Sequence, residues 1–154
     1  MDQPEVVYRQ AARVVVVDAN GRTLLMQGCD PVTPHVRFWF TPGGGADEGE
    51  SLAAAGAREL YEETGLVVLP ADLGEPVLRY TSEFPFDGRH YLQEQDVFLL
   101  RTSAFDAVPV ALDVHEIRSD VRLAWISLDE LAALEEPYYP PELPDLVRLA
   151  MSRS

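Results

Sequence analysis

Three glutamates at helical spacing follow a glycine-rich segment and constrain both the local fold and the chemistry of this chain. Glu59, Glu62 and Glu63 stand at positions i, i+3 and i+4, so on a helix their side chains emerge from one face. Like charges at this spacing destabilise an exposed helix by roughly 0.2–0.5 kcal/mol per pair. A divalent cation reverses the repulsion, because Mg²⁺ and Mn²⁺ prefer oxygen ligands. The pattern therefore predicts a metal-binding helix.

The flanking residues define the two ends and the buried face of this helix. Ser51 is a suitable N-cap, and Gly65 suits a left-handed C-terminal stop. Arg58 precedes Glu62 by four residues and can hold its carboxylate in place. The stripe that can pack on a core consists of Ala53, Ala57, Leu60 and Thr64. The glutamates point away from this stripe, towards a cleft or solvent.

Residues 44–66 resemble the signature of the Nudix hydrolase family, Gly-x5-Glu-x7-Arg-Glu-(apolar)-x-Glu-Glu-x-Gly-(apolar). The matching residues are Gly44, Glu50, Arg58, Glu59, Leu60, Glu62, Glu63, Gly65 and Leu66. More loosely, the resemblance extends to 38–43, before the signature, and to 125–131, late in the chain. It implies an α/β/α sandwich with a mixed β-sheet, and we expect one domain over residues 1–154.

The resemblance also implies an activity and a cofactor. Nudix hydrolases split the diphosphate bond of a nucleoside diphosphate that is linked to another moiety, with Mg²⁺ or Mn²⁺ bound. The implied substrate is a nucleoside triphosphate or an ADP-ribose-like nucleotide sugar. An alternative is a non-catalytic Nudix-fold module that binds nucleotides or regulates, although the intact glutamate run favours the enzyme. A structural Ca²⁺ site is a third interpretation, but flexible calcium cages usually take their ligands from a loop.

Site residues are assigned by matching this sequence to the family pattern. The implied metal partners are the Gly43 backbone carbonyl, Glu50, Glu59, Glu62 and Glu63. Glu59 doubles as a candidate general base, and Arg58 is expected to orient the carboxylates. Nudix proteins often recruit a further acidic residue from a loop before the last strand, and the resemblance therefore implies Glu116, which lies in such a place, as the favoured base or a further ligand. Its rivals on a strand are Glu94 and Asp96.

Substrate contacts are expected from aromatic and arginine side chains near the signature. Aromatic rings can stack a nucleobase, and guanidinium groups can bind phosphates. The candidates are Arg37, Trp39, Phe84 and Arg89. The three histidines show no metal-ligand spacing and are interpreted as ordinary loop residues; they are His35, His90 and His115.

The charge balance excludes some classes of partner. The net charge is −14 and the pI is near 4.4, so binding to a polymeric nucleic-acid backbone is not expected. A small phosphorylated substrate would need bound cations to approach such a chain, which again favours a metal site. The chain contains no lysine, which excludes lysine Schiff-base chemistry and a P-loop lysine.

Cysteine usage and hydropathy indicate the compartment. Cys29 is the single cysteine, so an internal disulfide is excluded and a reducing, cytoplasmic location is expected. The acidic first residues do not resemble a signal peptide, and no apolar run has the length of a membrane span. Many Nudix proteins pair, so a homodimer is compatible with the resemblance, while the residues leave the oligomeric state open.

The remaining pattern predicts a mixed sheet with helices on both faces. Predicted strands cover 11–17, 23–27, 38–41, 67–69, 76–82, 91–101 and 118–126. The first two are joined by a turn at Asn20–Gly21, which is a strong hairpin signal. Residues 83–90 are predicted as a loop, and 138–141 as a rigid linker. Further helices are predicted over 128–134 and 146–151.

Overall fold

The computed structural model describes residues 5–153, and these residues form one mixed eight-stranded sheet flanked by helices. The strands are β1 (Val6–Val17), β2 (Thr23–Cys29), β3 (Arg37–Phe40), β4 (Gly43–Gly45), β5 (Leu78–Phe86), β6 (Arg89–Arg101), β7 (Arg122–Ile126) and β8 (Tyr138–Tyr139). The helices are α1 (Leu52–Thr64), α2 (Val114–Arg118), α3 (Leu128–Ala133) and α4 (Leu143–Ser152), with a 3-10 turn at Pro70–Leu73.

The sheet brings the glycine-rich segment against the middle of β1. The strand order is β5-β6-β1-β2-β3-β8, with β4 paired to β1 and β7 paired to β2 outside this path. β1 runs parallel to β6 over its whole length, whereas β4 is antiparallel to β1. The register places Gly45 opposite Ala11 and Gly43 opposite Arg13. The start of the signature therefore lies beside β1.

Two apolar clusters cover the two faces of the sheet. Successive residues of β1 point to opposite faces, so Val14 packs with Leu60 of α1, while Val15 packs with Leu131 of α3 and Val147 of α4. The α/β/α arrangement with a mixed sheet, predicted from the sequence, is confirmed. No helix within residues 5–153 is long and apolar enough to cross a membrane.

The predicted ends of α1 are confirmed by their local geometry. The Ser51 side chain accepts a hydrogen bond from the Ala54 backbone N–H at 3.1 Å, which satisfies one of the unpaired donors of the first turn. Gly65 has φ +82°, and its N–H donates to the Tyr61 carbonyl at 2.8 Å. The turn after β1 is also formed as predicted, with Gly21 at φ +79° and Val17 opposite Thr23.

The predicted loop over 83–90 is wrong. β5 continues to Phe86 and β6 begins at Arg89, so only Asp87 and Gly88 form the turn. Both turn residues have positive φ, 51° and 78°, which is the backbone requirement of a two-residue hairpin turn of type I′. The Asp-Gly pair was the sequence signal for this hairpin.

Other predicted elements also differ from the structure, and β1 already begins at Val6 and not at residue 11. Residues 67–69 form no strand, and Val67 and Leu69 are exposed there without a neighbouring strand to pair with. The predicted strand over 118–126 starts only at Arg122, because the chain first forms α2 and then turns at Asp120, where φ is +50°. The expected linker contains β8, which pairs with β3. Helix α4 begins at Leu143 rather than at residue 146.

Candidate active site

A cavity of about 510 Å³ lies where α1, α2 and the sheet strands meet. Its wall combines carboxylates, two arginines, the glycines of β4 and aromatic rings from β5 and β6. The charged wall residues include Arg9, Arg13, Glu59, Glu63 and Glu116. The cavity wall therefore offers both charged and aromatic groups to a ligand.

Three carboxylates converge in this cavity. One oxygen each from Glu59, Glu63 and Glu116 lies within 4.8 Å of the others. Glu59 and Glu63 come from α1 and are only 8% and 1% exposed, whereas Glu116 comes from α2. Oxygen donors this close to one another, and shielded from water, could hold a hard divalent cation.

The environment of these carboxylates raises the pKa of two of them. Burial is the largest cause at Glu59, where it outweighs the opposing charge of Arg58 and raises the pKa to about 7. Burial also raises the pKa of Glu63 well above its ordinary value, and the hydrogen bond and charge of Glu116 add to this effect. Both groups are thus unfavourable as free anions, and a bound cation would relieve that cost.

Backbone geometry near the cluster explains the glycines of β4. The Gly43 N–H donates to Glu63 Oε1 at 2.7 Å, which fixes that carboxylate against the strand. A Cβ atom at Gly44 would lie 2.8 Å from Glu59 Cδ, so any other residue there would displace the Glu59 carboxylate from its present position.

A short capping motif positions Glu116. The Asp113 side chain accepts the Glu116 backbone N–H at 2.8 Å, and Glu116 Oε1 accepts the Asp113 N–H at 3.0 Å. This reciprocal capping box starts α2 and holds the Glu116 backbone at the edge of the cavity. The helix, absent from the sequence prediction, thus carries one of the predicted site residues.

Arg58 lies among the carboxylates, as its predicted orienting role requires. Its Nε and Nη2 donate to the two oxygens of Glu50, both at 2.9 Å, in a bidentate pair. Its Nη1 lies 3.1 Å from Glu59 Oε1 and 3.4 Å from Glu62 Oε2. The Arg58 hydrogen bonds hold the pKa of Glu50 at about 2. Glu50 and Glu62 therefore contact Arg58 and are not part of the three-carboxylate cluster.

Of the four predicted substrate contacts, one lines the cavity and three do not. Phe84 lines the cavity. Arg37 does not line it, because its Nη2 donates to the Asp120 carbonyl at 2.8 Å. Trp39 packs against the core on the α3–α4 side, and Arg89 is exposed and pairs with Glu5.

The rivals of Glu116 also lie elsewhere. Asp96 is buried but accepts two hydrogen bonds from Arg79, at 2.6 and 2.9 Å. Glu94 is half-exposed and lies 3.9 Å from the same guanidinium. Within residues 5–153, neither joins the three-carboxylate cluster.

Sequence reasoning missed several cavity residues. Arg9 and Arg13 line the cavity from β1, and His115, interpreted as a loop residue, lines it from α2. The available signal for the arginines was their spacing of four residues, which places both on one face of a largely apolar strand. The side of the sheet that they face follows only from the pairing of β1 with β6.

The chain is similar in sequence to a known protein family. The model of the NUDIX domain family matches residues 7–147. The chain belongs to the NUDIX family. The predicted family and the predicted enzyme class, a Nudix pyrophosphohydrolase, are thereby confirmed, and the family signature is the segment that forms α1 and its preceding loop.

Curated relatives of this Nudix chain include RNA pyrophosphohydrolases. That of Erythrobacter litoralis is 31% identical over 148 residues, covering 89% of this chain and 87% of the relative. That of Sphingopyxis alaskensis is 29% identical over 150 residues, covering 90% and 89%.

Solved structures with the same fold include other Nudix proteins. A MutT protein from Methanosarcina mazei has a TM-score of 0.60 at 20% identity, covering 97% of this chain and 95% of that one. A NUDIX family hydrolase from Clostridium perfringens has a TM-score of 0.63 at 17% identity, covering 94% of each. At these identities the likeness concerns the fold alone.

Proposed function

We propose that this Nudix hydrolase cleaves a diphosphate bond in a nucleotide-type substrate with Mg²⁺ or Mn²⁺ as its cofactor. The observation that carries the proposal is the cluster of Glu59, Glu63 and Glu116 in the wall of the cavity. The buried, hard oxygen donors of this cluster fit such a cation. When bound, the cation supplies charge neutralisation of the diphosphate and a more acidic water.

The residues of the cluster divide the remaining tasks. Glu63, held by the Gly43 N–H, is suited to ligation because its carboxylate is already oriented. Glu59 has its pKa raised to about 7, which suits a group that takes a proton from water near neutral pH. Glu116 is the alternative base, since its backbone is held at the cavity edge by the α2 cap.

Three further groups are proposed as supporting ligands. Glu62 and Glu50 accept hydrogen bonds from Arg58, which can orient their carboxylate oxygens towards the cation or hold the cluster in place. The Gly43 carbonyl belongs to a strand that lines the same cavity. Arg58 is proposed to position carboxylates rather than to contact substrate, because its guanidinium is already engaged by Glu50, Glu59 and the Gly45 carbonyl.

The substrate class is narrowed by the relatives and by the charge of the chain. The name RNA pyrophosphohydrolase makes RNA with a 5′-triphosphate a substrate to test beside nucleoside triphosphates and ADP-ribose-like nucleotides. The net charge of −14 disfavours extended contact with an RNA backbone. We therefore propose that recognition is limited to the terminal nucleotide and its phosphates.

The test is a hydrolysis screen. Nucleoside triphosphates, 5′-triphosphorylated dinucleotides and ADP-ribose are incubated with Mg²⁺ or Mn²⁺, and the products are separated by chromatography. We expect the wild type to cleave one class of these substrates. Glu63→Gln should lose this activity, whereas Glu75→Gln, an exposed control, should keep it. A folded, cation-binding wild type that cleaves nothing would support the non-catalytic alternative.

A further inference from the structure

Two arginines in the cavity wall have no carboxylate counter-ion. Arg9 and Arg13 are half-buried, and neither forms an ion pair within 4.0 Å among residues 5–153. The chain has 26 acidic residues against 12 basic ones, so carboxylates are abundant. The two positive charges are therefore left uncompensated by any direct contact in the part of the chain that is described.

Both arginines are held by neutral groups in the same manner. Arg9 Nε donates to Gln93 Oε1, and its guanidinium carbon lies 5.2 Å from the centroid of the Tyr91 ring. Arg13 Nε donates to Gln95 Oε1 at 3.2 Å, and its guanidinium lies 6.0 Å from the Phe40 ring. Carboxamides and aromatic rings orient a guanidinium without cancelling its charge.

Most outer nitrogens of these guanidinium groups have no hydrogen-bond partner among the described residues. Neither Nη of Arg9 has a hydrogen-bond partner among the described residues, and neither is sealed from solvent. Arg13 Nη1 donates to the Thr41 carbonyl at 3.2 Å, while its Nη2 has no partner there and is also open. Because both residues line the cavity, their free donors are available to a ligand.

The glycine strand β4 separates this arginine pair from the carboxylate cluster. A Cβ at Gly43 would lie 2.9 Å from Arg13 Cδ, and one at Gly45 would lie 3.4 Å from Arg9 Cδ. On the alternate position, a Cβ at Gly44 would meet Glu59 instead. The positive and negative groups are therefore one strand apart and open into one cavity.

The charges near the pair favour an anionic ligand once a cation occupies the cluster. Burial, followed by the charge of Arg13, lowers the pKa of Arg9, so the two guanidinium groups repel each other. Tyr91, Glu59 and Asp113 offset this only in part. A cation on the cluster would neutralise the charge of Glu59 and leave Asp113 as the carboxylate that acts on Arg9. A bound phosphate would then supply the missing negative charge.

We propose that Arg9 and Arg13 form a phosphate subsite beside the carboxylate cluster, which selects substrates with three consecutive phosphates over diphosphates capped by a sugar. The inference rests on the proposed function, in which the cluster and its cation take the diphosphate that is cleaved. A third phosphate would then reach the arginines, whereas a neutral sugar would leave both charges uncompensated.

The first test compares two substrates. The wild type is expected to prefer the best triphosphate of the screen to ADP-ribose. Arg9→Gln and Arg13→Gln should each raise KM for the triphosphate about tenfold or more, since a hydrogen bond between charged groups is worth about 1.5–3 kcal/mol. Their kcat for the triphosphate, and kcat/KM for ADP-ribose, should change less than about threefold. Arg148→Gln, an exposed change on α4, is the matched control.

Three kinetic outcomes would overturn the proposal. These are a wild type that prefers ADP-ribose, an equal loss with both substrates, and no loss with either. An equal loss of kcat/KM with both substrates would mean that the arginines support the carboxylate cluster and do not bind a third phosphate. If Arg9→Gln does not fold, Arg9→Lys keeps the charge but loses the planar fork, and its KM for the triphosphate should lie between those of the wild type and Arg13→Gln.

The second test measures binding without turnover. Inorganic tripolyphosphate with Mg²⁺ in excess, compared with sodium chloride at the same Mg²⁺ concentration and ionic strength, should raise Tm of the wild type and of Arg148→Gln, but not of the Arg9→Gln/Arg13→Gln double variant. An equal shift in all three proteins, or no shift in the wild type, would overturn the subsite. If the wild type hydrolyses none of the screened compounds, the proposed function fails, and this binding comparison still decides the inference.

Discussion

Glu59 and Glu63 stand four residues apart on α1, and the fold gives both carboxyl groups a pKa above the ordinary value. Each therefore favours either a proton or a cation over the free anion. The two glutamates destabilise the cation-free folded state at neutral pH. The same burial that creates this cost also prepares the oxygens for a divalent ion, so stability and cation binding oppose each other at these residues.

Glu59→Gln is expected to stabilise the metal-free protein at pH 8. The folded pKa of about 7 lies above the unfolded value of 4.5, so the ionisation cost is absent below pH 4.5 and complete above pH 7. The gain in free energy of unfolding should be on the order of 1–3 kcal/mol at pH 8 and small at pH 5. Urea denaturation in EDTA measures it, with Glu75→Gln as control. A variant no more stable than the wild type at pH 8 would contradict the assigned burial.

Glu63→Gln and Glu62→Gln should remove activity while the fold persists. Loss of a ligand or of its immediate support lowers metal affinity or activity by at least about 10–100-fold, and we expect the larger effect at Glu63, which belongs to the cluster. Initial rates at saturating Mg²⁺ and melting curves in EDTA separate activity from stability. Wild-type rates in Glu63→Gln would rule out the assigned site.

At the scale of elements, the segment between β4 and α1 is held by Arg58 and Glu50. Their bidentate pair ties the loop to the helix, and the Glu50 side chain is only 16% exposed. The hydrogen bonds from Arg58 lower the pKa of Glu50 to about 2. The loop geometry that positions the glycine strand therefore depends on this ion pair.

Glu50→Gln is expected to lower the free energy of unfolding by about 1–3 kcal/mol at pH 7, since a charge-assisted hydrogen bond is lost. Because the folded pKa lies below the unfolded value of 4.5, the contribution of Glu50 is complete above pH 4.5 and is lost as pH falls towards 2. Urea denaturation at pH 7, 4 and 3 should show the difference from wild type shrinking. Glu48→Gln, in the same loop but exposed, is the control. A constant difference across this range would contradict the ion-pair explanation.

Some elements of the fold can be predicted from nearby residues alone. The caps of α1 and the turn after β1 were predicted correctly, because each depends on residues within a few positions. The hairpin at Asp87–Gly88 was readable from its dipeptide but was predicted as a loop. In contrast, β8 has two residues and exists through its pairing with β3, so no local pattern indicates it.

For the whole molecule, the net charge of −14 makes the carboxylate cluster the natural place for cations. In the proposed site, protons and the cation would compete for the same oxygens, since the pKa of Glu59 is raised to about 7. Cation affinity should therefore be low when Glu59 is protonated and high when it is ionised. Cation binding should also raise Tm in proportion to its affinity, because the unfolded chain has no assembled cluster.

Chelation is expected to abolish activity reversibly, and Mn²⁺ should bind at least about tenfold more tightly at pH 8 than at pH 6. Calorimetric titration of the wild type at the two pH values checks the affinity, and assays in EDTA followed by excess Mg²⁺ check the reversal. Glu59→Gln should show a smaller dependence on pH. Full activity in EDTA would exclude the proposed cofactor.

The sequence by itself determined the signature helix, its caps and the family, because these depend on residues that are close together in the chain. It also indicated Glu116, through the resemblance, without showing how close it lies. Only the tertiary structure decided that Glu116 meets Glu59 and Glu63, and that Arg9 and Arg13 open into the same cavity. Such contacts join segments from β1, α1 and α2, and the pairing of distant strands sets them, which no local pattern of residues specifies.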